Sequence, residues 1–171
     1  PNDDKTLEEG DAWKGNPPEA HASYSWSKRM GERQAIAFHK EFGMDIAIVR
    51  PSNSYGPRDS DDLETAHALG SLIMKAIKKM DPFVIWGDGS PIREYIYAKD
   101  AARGMLLAME NYCVGDPINL ASGEFVSIDE LAKKILNITD MNPEIKFDKD
   151  KPSGQKRRVL SNKKAEEKIG F

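Results

Sequence analysis

Tyr24 and Lys28 stand four residues apart, in the run Tyr24-Ser25-Trp26-Ser27-Lys28. On a helix that spacing puts both side chains on one face, one turn from each other. An ammonium beside a phenol favours the tyrosinate and draws the phenol below its usual pKa of about 10. A phenol so tuned exchanges a proton with a substrate hydroxyl near neutral pH. The chemistry this suits is hydride removal from a carbon bearing a hydroxyl, with the proton passing to the tyrosine.

The same spacing recurs at Tyr95 and Lys99. Arg93-Glu94-Tyr95-Ile96-Tyr97 is aromatic and β-branched and follows a turn, so it reads as a strand. Four residues along a strand span about 13 Å, too far for the lysine to act on the phenol. After Tyr24, by contrast, Trp26, Met30, Ala37, Phe38 and Phe42 recur at helical intervals. Tyr24 is the better candidate.

These residues need elements to hold them. Residues 1–22 read as an acidic loop closed by Gly15-Asn16-Pro17-Pro18. A helix over about 25–42 stops at Gly43. The apolar run 45–50 follows as a buried parallel strand. The loop 51–59, punctuated by Pro51 and Pro57, leaves its carboxyl end, where open α/β sheets place ligands. A helix over 64–80 carries an apolar stripe of Leu69, Leu72, Ile73, Ala76, Ile77 and Met80. Residues 83–86 and 92–97 read as strands about a hairpin turn at Gly87-Asp88-Gly89-Ser90. A helix over 99–111 is expected to bury Ala102, Met105, Leu106 and Met109. A short strand at 117–120 comes next. Ser127-Ile128-Asp129-Glu130 has capping-box form and opens another helix. A strand at 144–147, a basic loop at 149–158 and a helix at 162–169 complete the chain. Strands alternating with helices predict an α/β fold. No Gly-x-Gly-x-x-Gly stands between a strand and a helix, so these residues alone carry no recognisable dinucleotide-binding turn.

Composition narrows the partners. The 171 residues suffice for one core with an appendage, and 39% of them are hydrophobic. A net charge of −3 gives no reason to expect nucleic acid or a membrane surface as main partner. No apolar run is long enough to span a bilayer, and no secretory signal opens the chain. The single cysteine, Cys113, excludes an internal disulfide, fits a reducing cytoplasm and reads as packing. No metal is expected. His21 and His39 read as surface residues.

Four stretches then line up in order: Tyr24-x-x-x-Lys28, Arg50-Pro51-Ser52-Asn53-Ser54-Tyr55-Gly56-Pro57, Gly87-Asp88-Gly89-Ser90-Pro91-Ile92-Arg93-Glu94-Tyr95-Ile96-Tyr97, and Ile118-Asn119-Leu120-Ala121-Ser122-Gly123. Together they resemble the extended short-chain dehydrogenase/reductases that act on nucleotide sugars, the NAD-dependent epimerase/dehydratase family. The resemblance covers nearly the whole chain but only the second half of such an enzyme. It implies the C-terminal part of an NAD(P)-binding Rossmann fold (1–60) and, over 61–171, mainly a small α/β substrate-binding domain with segments returning to the Rossmann sheet. It implies NAD or NADP as cofactor, a nucleotide sugar as substrate, an N-terminal half that completes the Rossmann domain, and a homodimer.

The roles it implies attach to particular residues. Tyr24 is the catalytic acid or base, and Lys28 holds the nicotinamide ribose. Pro51 and Ser52 pass beside the nicotinamide. Asn53, Arg58, Trp86 and Arg93 face the substrate: Asn53 at a phosphate, Trp86 at the base, Arg93 at the diphosphate, which suits a planar five-donor group. Within the family, residues 83–87 with Arg93, and Lys151-Pro152-Ser153-Gly154 followed by Arg157-Arg158, resemble the GDP-fucose synthases. His67 stands about where those enzymes carry an acid histidine. Plainer readings stay open: Asn53 as a turn residue, Arg93 in a surface ion pair, Trp86 in the core, His67 as structural. So do two other functions, a non-catalytic nucleotide-sugar-binding module and an inactive fragment.

Overall fold

The computed structural model describes residues 5–63, 65–151 and 154–171. Pro1, Glu64 at the expected start of the second helix, and Pro152 and Ser153 lie outside them.

The helix that carries Tyr24 is α1, Ala22–Phe42, and it starts three residues earlier than its periodicity suggests. It ends on Gly43 in the left-handed conformation, φ 65°, whose N–H donates to the His39 carbonyl at 3.0 Å. No residue of α1 is fully buried. Its inner seam is small or polar (Ala22, Ser25, Arg29, Glu32, Ala35, Ile36), while Tyr24, Trp26, Met30, Phe38 and Phe42 are exposed. Polar ties hold it to the body. The Arg50 guanidinium donates to both carboxylate oxygens of Glu32, at 2.7 and 2.5 Å, and to the Glu9 carbonyl at 2.7 Å. Arg29 lies over the rings of Trp13 and Trp26, 5.8 and 5.0 Å from their centroids, and donates to the Gly15 carbonyl. The stretch before α1 is thus not bare loop: it forms a 3-10 turn at Glu9–Trp13, anchored by buried Asp11 between Lys5 and Lys14.

The parallel strand expected at 45–50 is shorter and lies further along. β1 is Val49–Pro51, with Ile46 bridging to Val114, and only Ile48 of the run is fully buried. β1 pairs in parallel with β5, Ile118–Leu120, in the register Val49↔Ile118 and Pro51↔Leu120. The expected loop after it holds a strand, β2, Asn53–Tyr55, which pairs in parallel with the second half of β4, Ile92–Tyr97. Ser52 alone separates β1 from β2, and its N–H donates to the Leu120 carbonyl at 2.8 Å.

The hairpin expected at 87–90 does not form. β3, Phe83–Trp86, pairs in parallel with β7, Ile145–Asp148, and not with β4. β4 instead takes β6, Phe125–Ser127, antiparallel and β8, Arg157–Arg158, parallel. The glycines of the turn serve packing: a Cβ on Gly89 (φ 75°) would come within 2.6 Å of the Phe147 ring and 3.0 Å of Asp129. The expected basic loop at 149–158 therefore ends in a strand.

Two cores result. The helices α2, Ala68–Ile77, and α4, Ile128–Ile138, close one over β3, with Leu69, Leu72, Ala76, Phe83, Ile85 and Leu136 buried. Ile73 and Ile77 of the expected α2 stripe face out. The Ser127–Glu130 capping box of α4 is present. In the other core, α3, Ala98–Asn111, and α5, Lys163–Ile169, pack on β5 and β4 through Ala101, Ala108, Ile118, Leu120, Ala165 and Ile96. The face of α3 expected inside is outside: Ala102, Met105, Leu106 and Met109 are exposed. Small residues let α3 approach the sheet, since a Cβ on Gly104 would meet Leu120 at 2.9 Å. No helix among the described residues is long and apolar enough to cross a membrane.

Candidate functional site

Tyr24 sits in the first turn of α1, its side chain 67% exposed. Lys28, one turn on, holds its ammonium 5.4 Å from the Tyr24 ring centroid. Neither the phenol oxygen nor this ammonium has a hydrogen-bond or ion-pair partner among the described residues. Both are therefore available to a ligand, and the pair has the face-sharing geometry that the spacing implies. The rival tyrosine behaves differently. Tyr95 is a mid-strand residue of β4 packed edge-on against Tyr55, and burial pushes its phenol above the usual range. Lys99 lies on α3, so the second Tyr-x-x-x-Lys match straddles two elements.

Pro51 closes β1, exposed, and Ser52 follows with its hydroxyl oxygen buried and without a hydrogen-bond partner among the described residues. An orphaned hydroxyl at the carboxyl end of a parallel strand is a group with a bond to give. Asn53 spends one amide hydrogen internally, donating to the Glu94 carbonyl at 2.8 Å across the β2–β4 pair. That contact differs from the turn cap its sequence context suggests; the amide oxygen is not engaged by it. Beside β1 a cleft is lined by Arg50, Pro51, Asn119, Arg158, Leu7 and Leu160 together with the acidic Glu8 and Asp11, so β1 and β8 border one depression of mixed charge.

A basic and aromatic cluster gathers at the start of β4. Arg93 faces Arg158 in register, and Arg157 stands opposite Ile92. Arg93 is half-buried and donates to the Ile92 carbonyl. Burial lowers its proton affinity, Tyr95 opposes that, and Arg158 adds to it, yet a guanidinium stays charged. Gly154 leaves room for it: a Cβ there would meet an Arg93 nitrogen at 3.2 Å. Arg157 stacks over Phe125, 4.6 Å from its centroid, with its Nε buried and without a hydrogen-bond partner among the described residues. Trp86, at the end of β3, is 54% exposed, and the Lys151 ammonium lies 5.5 Å from its ring centroid. Trp86 is thus a surface ring rather than a core one. An exposed indole with a cation over its face can take a planar base.

His67 and Arg58 stand apart from these groups. His67 is exposed at the N-terminal boundary of α2, and its carbonyl accepts from the Ser71 N–H. Arg58 is exposed with a positive φ of 72°. No hydrogen bond, ion pair or ring contact joins either to Tyr24, Trp86 or Arg93 among the described residues. His39 is not purely surface: it is half-buried, its Nδ1 2.7 Å from the Met44 carbonyl oxygen. Cys113 is held by local contacts, its Sγ 2.9 Å from the Met109 carbonyl oxygen. Sequence reasoning missed the Glu32–Arg50 pair, Phe125 and Glu94. Glu94 is a buried carboxylate that accepts from the N–H groups of Gly123 and Leu160 at 2.9 Å. A charge inside an apolar alternation, as at Glu94 within β4, was the available signal.

Known proteins resemble this chain in sequence and fold. A family model described as "NAD dependent epimerase/dehydratase family" matches residues 2–121. A GDP-L-fucose synthase from Sinorhizobium fredii is 34% identical over 145 residues, covering 82% of this chain and 46% of that protein. A dTDP-4-dehydro-6-deoxy-D-allose reductase from Streptomyces bikiniensis is 34% identical over 148 residues, covering 86% of this chain and 45% of its own. Among solved structures, a GDP-L-fucose synthetase from Naegleria fowleri bound to NADP superimposes with a TM-score of 0.82 at 30% identity, over 91% of this chain and 51% of that one. The chain spans about half the length of the curated relatives it matches.

Proposed function

Because the chain belongs to the NAD dependent epimerase/dehydratase family, we propose that it is the substrate-binding and proton-handling part of an NAD(P)-dependent nucleotide-sugar epimerase, dehydratase or reductase. A reductase of a 4-keto-6-deoxy sugar, of the GDP-fucose synthase kind, is the reading that its relatives favour. The observation that carries it is the Tyr24–Lys28 pair, exposed on one face of α1, with the ammonium over the ring and neither polar head hydrogen-bonded or ion-paired among the described residues.

The residues fit a nicotinamide cofactor. The free Lys28 ammonium can hold two ribose hydroxyls, and the orphaned Ser52 hydroxyl stands at the strand end where a carboxamide would lie. When bound, the cofactor supplies or removes hydride at the sugar carbon. Tyr24 holds the proton that joins or leaves the oxygen on that carbon, with the Lys28 ammonium one turn away on the same helix face. Arg93, with Arg157 and Arg158 beside it, holds the diphosphate by charge-assisted bonds. Trp86 offers a face to the base, and Asn53 its remaining amide hydrogen to a phosphate. His67, exposed at the start of α2, is the second acid, and Arg58 is a further substrate cation. The cofactor part comprises residues 1–60 and the substrate part mainly 61–171. A homodimer and a cytoplasmic setting complete the reading, the second supported by the single cysteine.

The test is Tyr24→Phe in the native protein that carries this chain. We expect kcat to fall by at least about 100-fold, as for loss of a general acid or base, with substrate affinity nearly unchanged. Tyr95→Phe is the companion and is expected to be mild. Near-normal turnover by Tyr24→Phe rejects the assignment.

A further inference from the structure

Catalysis by Tyr24 needs α1 held at a fixed height and a fixed rotation against β1, and among the described residues a polar tie joins the two elements. Glu32 is one turn beyond Lys28 on the same face, about 6 Å along the axis. Arg50 immediately precedes Pro51 and Ser52 in β1. The two form a paired two-bond contact, Nε to one carboxylate oxygen at 2.7 Å and Nη2 to the other at 2.5 Å. Their side chains are 16% and 18% exposed, so water screens the pair only partly. The third bond, Nη1 to the Glu9 carbonyl, ties in the turn that leads toward Tyr24.

From this we infer that Glu32 and Arg50 are positioning residues: their fork-to-fork bond sets the rotation of α1 so that Tyr24 and Lys28 meet the Pro51–Ser52 strand end. The inference rests on the proposed role of Tyr24. Two parallel bonds fix an angle as well as a distance, which a single ammonium contact does not. Arg50→Lys keeps the charge and loses the angle. Misplacing a reacting group by about 1 Å costs on the order of 100-fold in rate.

The experiment has two readouts. Amide hydrogen exchange on the native protein compares wild type with Arg50→Lys and Glu32→Gln. We expect exchange across α1 to rise by about tenfold or more, while β3 and α4 keep their protection. In turnover assays kcat is expected to fall by roughly 10- to 100-fold, with the nucleotide-sugar KM changed less than about twofold. Unchanged exchange in α1 overturns the inference. So does a rise that spreads equally to β3 and α4, which marks the pair as general scaffold. Should Arg50→Lys fail to fold, Glu32→Gln decides alone. Tyr24→Phe is run beside them. If it keeps normal turnover, the catalytic reading itself fails, and the positioning role with it. If it is inactive while Arg50→Lys and Glu32→Gln turn over normally, only the positioning role fails.

Discussion

At the scale of single residues, Arg93 shows what side-chain type decides. It is a half-buried guanidinium in register with Arg158, and its planar set of donors suits an anionic ligand. Arg93→Lys is expected to weaken nucleotide-sugar binding by calorimetry, because an ammonium cannot reproduce a two-bond fork. Losing a charge-assisted bond is worth about 1.5–3 kcal/mol, or roughly 10- to 150-fold in affinity. Equal affinity in wild type and Arg93→Ala would falsify the role. The Tyr24–Lys28 pair was legible because helical spacing alone puts two residues side by side. Asn53 was only partly legible: its bond to the Glu94 carbonyl joins strands distant in the chain, and no local pattern carries that. The Glu32–Arg50 pair escaped for the same reason, since it joins a helix to a strand that follows it.

Among elements, periodicity located helices well and their partners poorly. α1, α2, α3 and α4 all lie near where apolar spacing puts them. On α3 the inward face was misjudged, since methionine and leucine pattern alike whether they meet this chain or something else, whereas Ala101, Gly104 and Ala108 make the close approach. Gly87-Asp88-Gly89 between two short apolar runs carries every local mark of a hairpin. The long-range partner β7 wins because its Phe147 needs the space at Gly89. Gly89→Ala is expected to destabilise by about 2–5 kcal/mol, the sum of left-handed strain and overpacking. Gly123→Ala also has a positive φ but nothing within 4 Å, so it should lose only about 1–2 kcal/mol. Denaturant midpoints measure both, and equal losses would show that Phe147 yields freely.

For the molecule as a whole, the 171 residues include those proposed to grip the nicotinamide end and none of the glycine-rich turn that binds a pyrophosphate. A few contacts do not offset the ordering of a flexible dinucleotide. NADP titrated into the isolated 171-residue polypeptide is therefore expected to show no low-micromolar binding, and such binding would point to a cofactor site elsewhere in these residues. The α/β class and the family were legible at this scale because four motifs in order are far more specific than any one. The stitching of Val49 to Tyr55 into two sheets was not legible. With Ser52 alone between β1 and β2, that stretch behaves as a ruler. An added or deleted residue there would turn one strand's side chains to the opposite face. Exposed loops of this protein can drift in length as well as composition, but here the count of residues is itself under constraint, and divergence can proceed only by replacement.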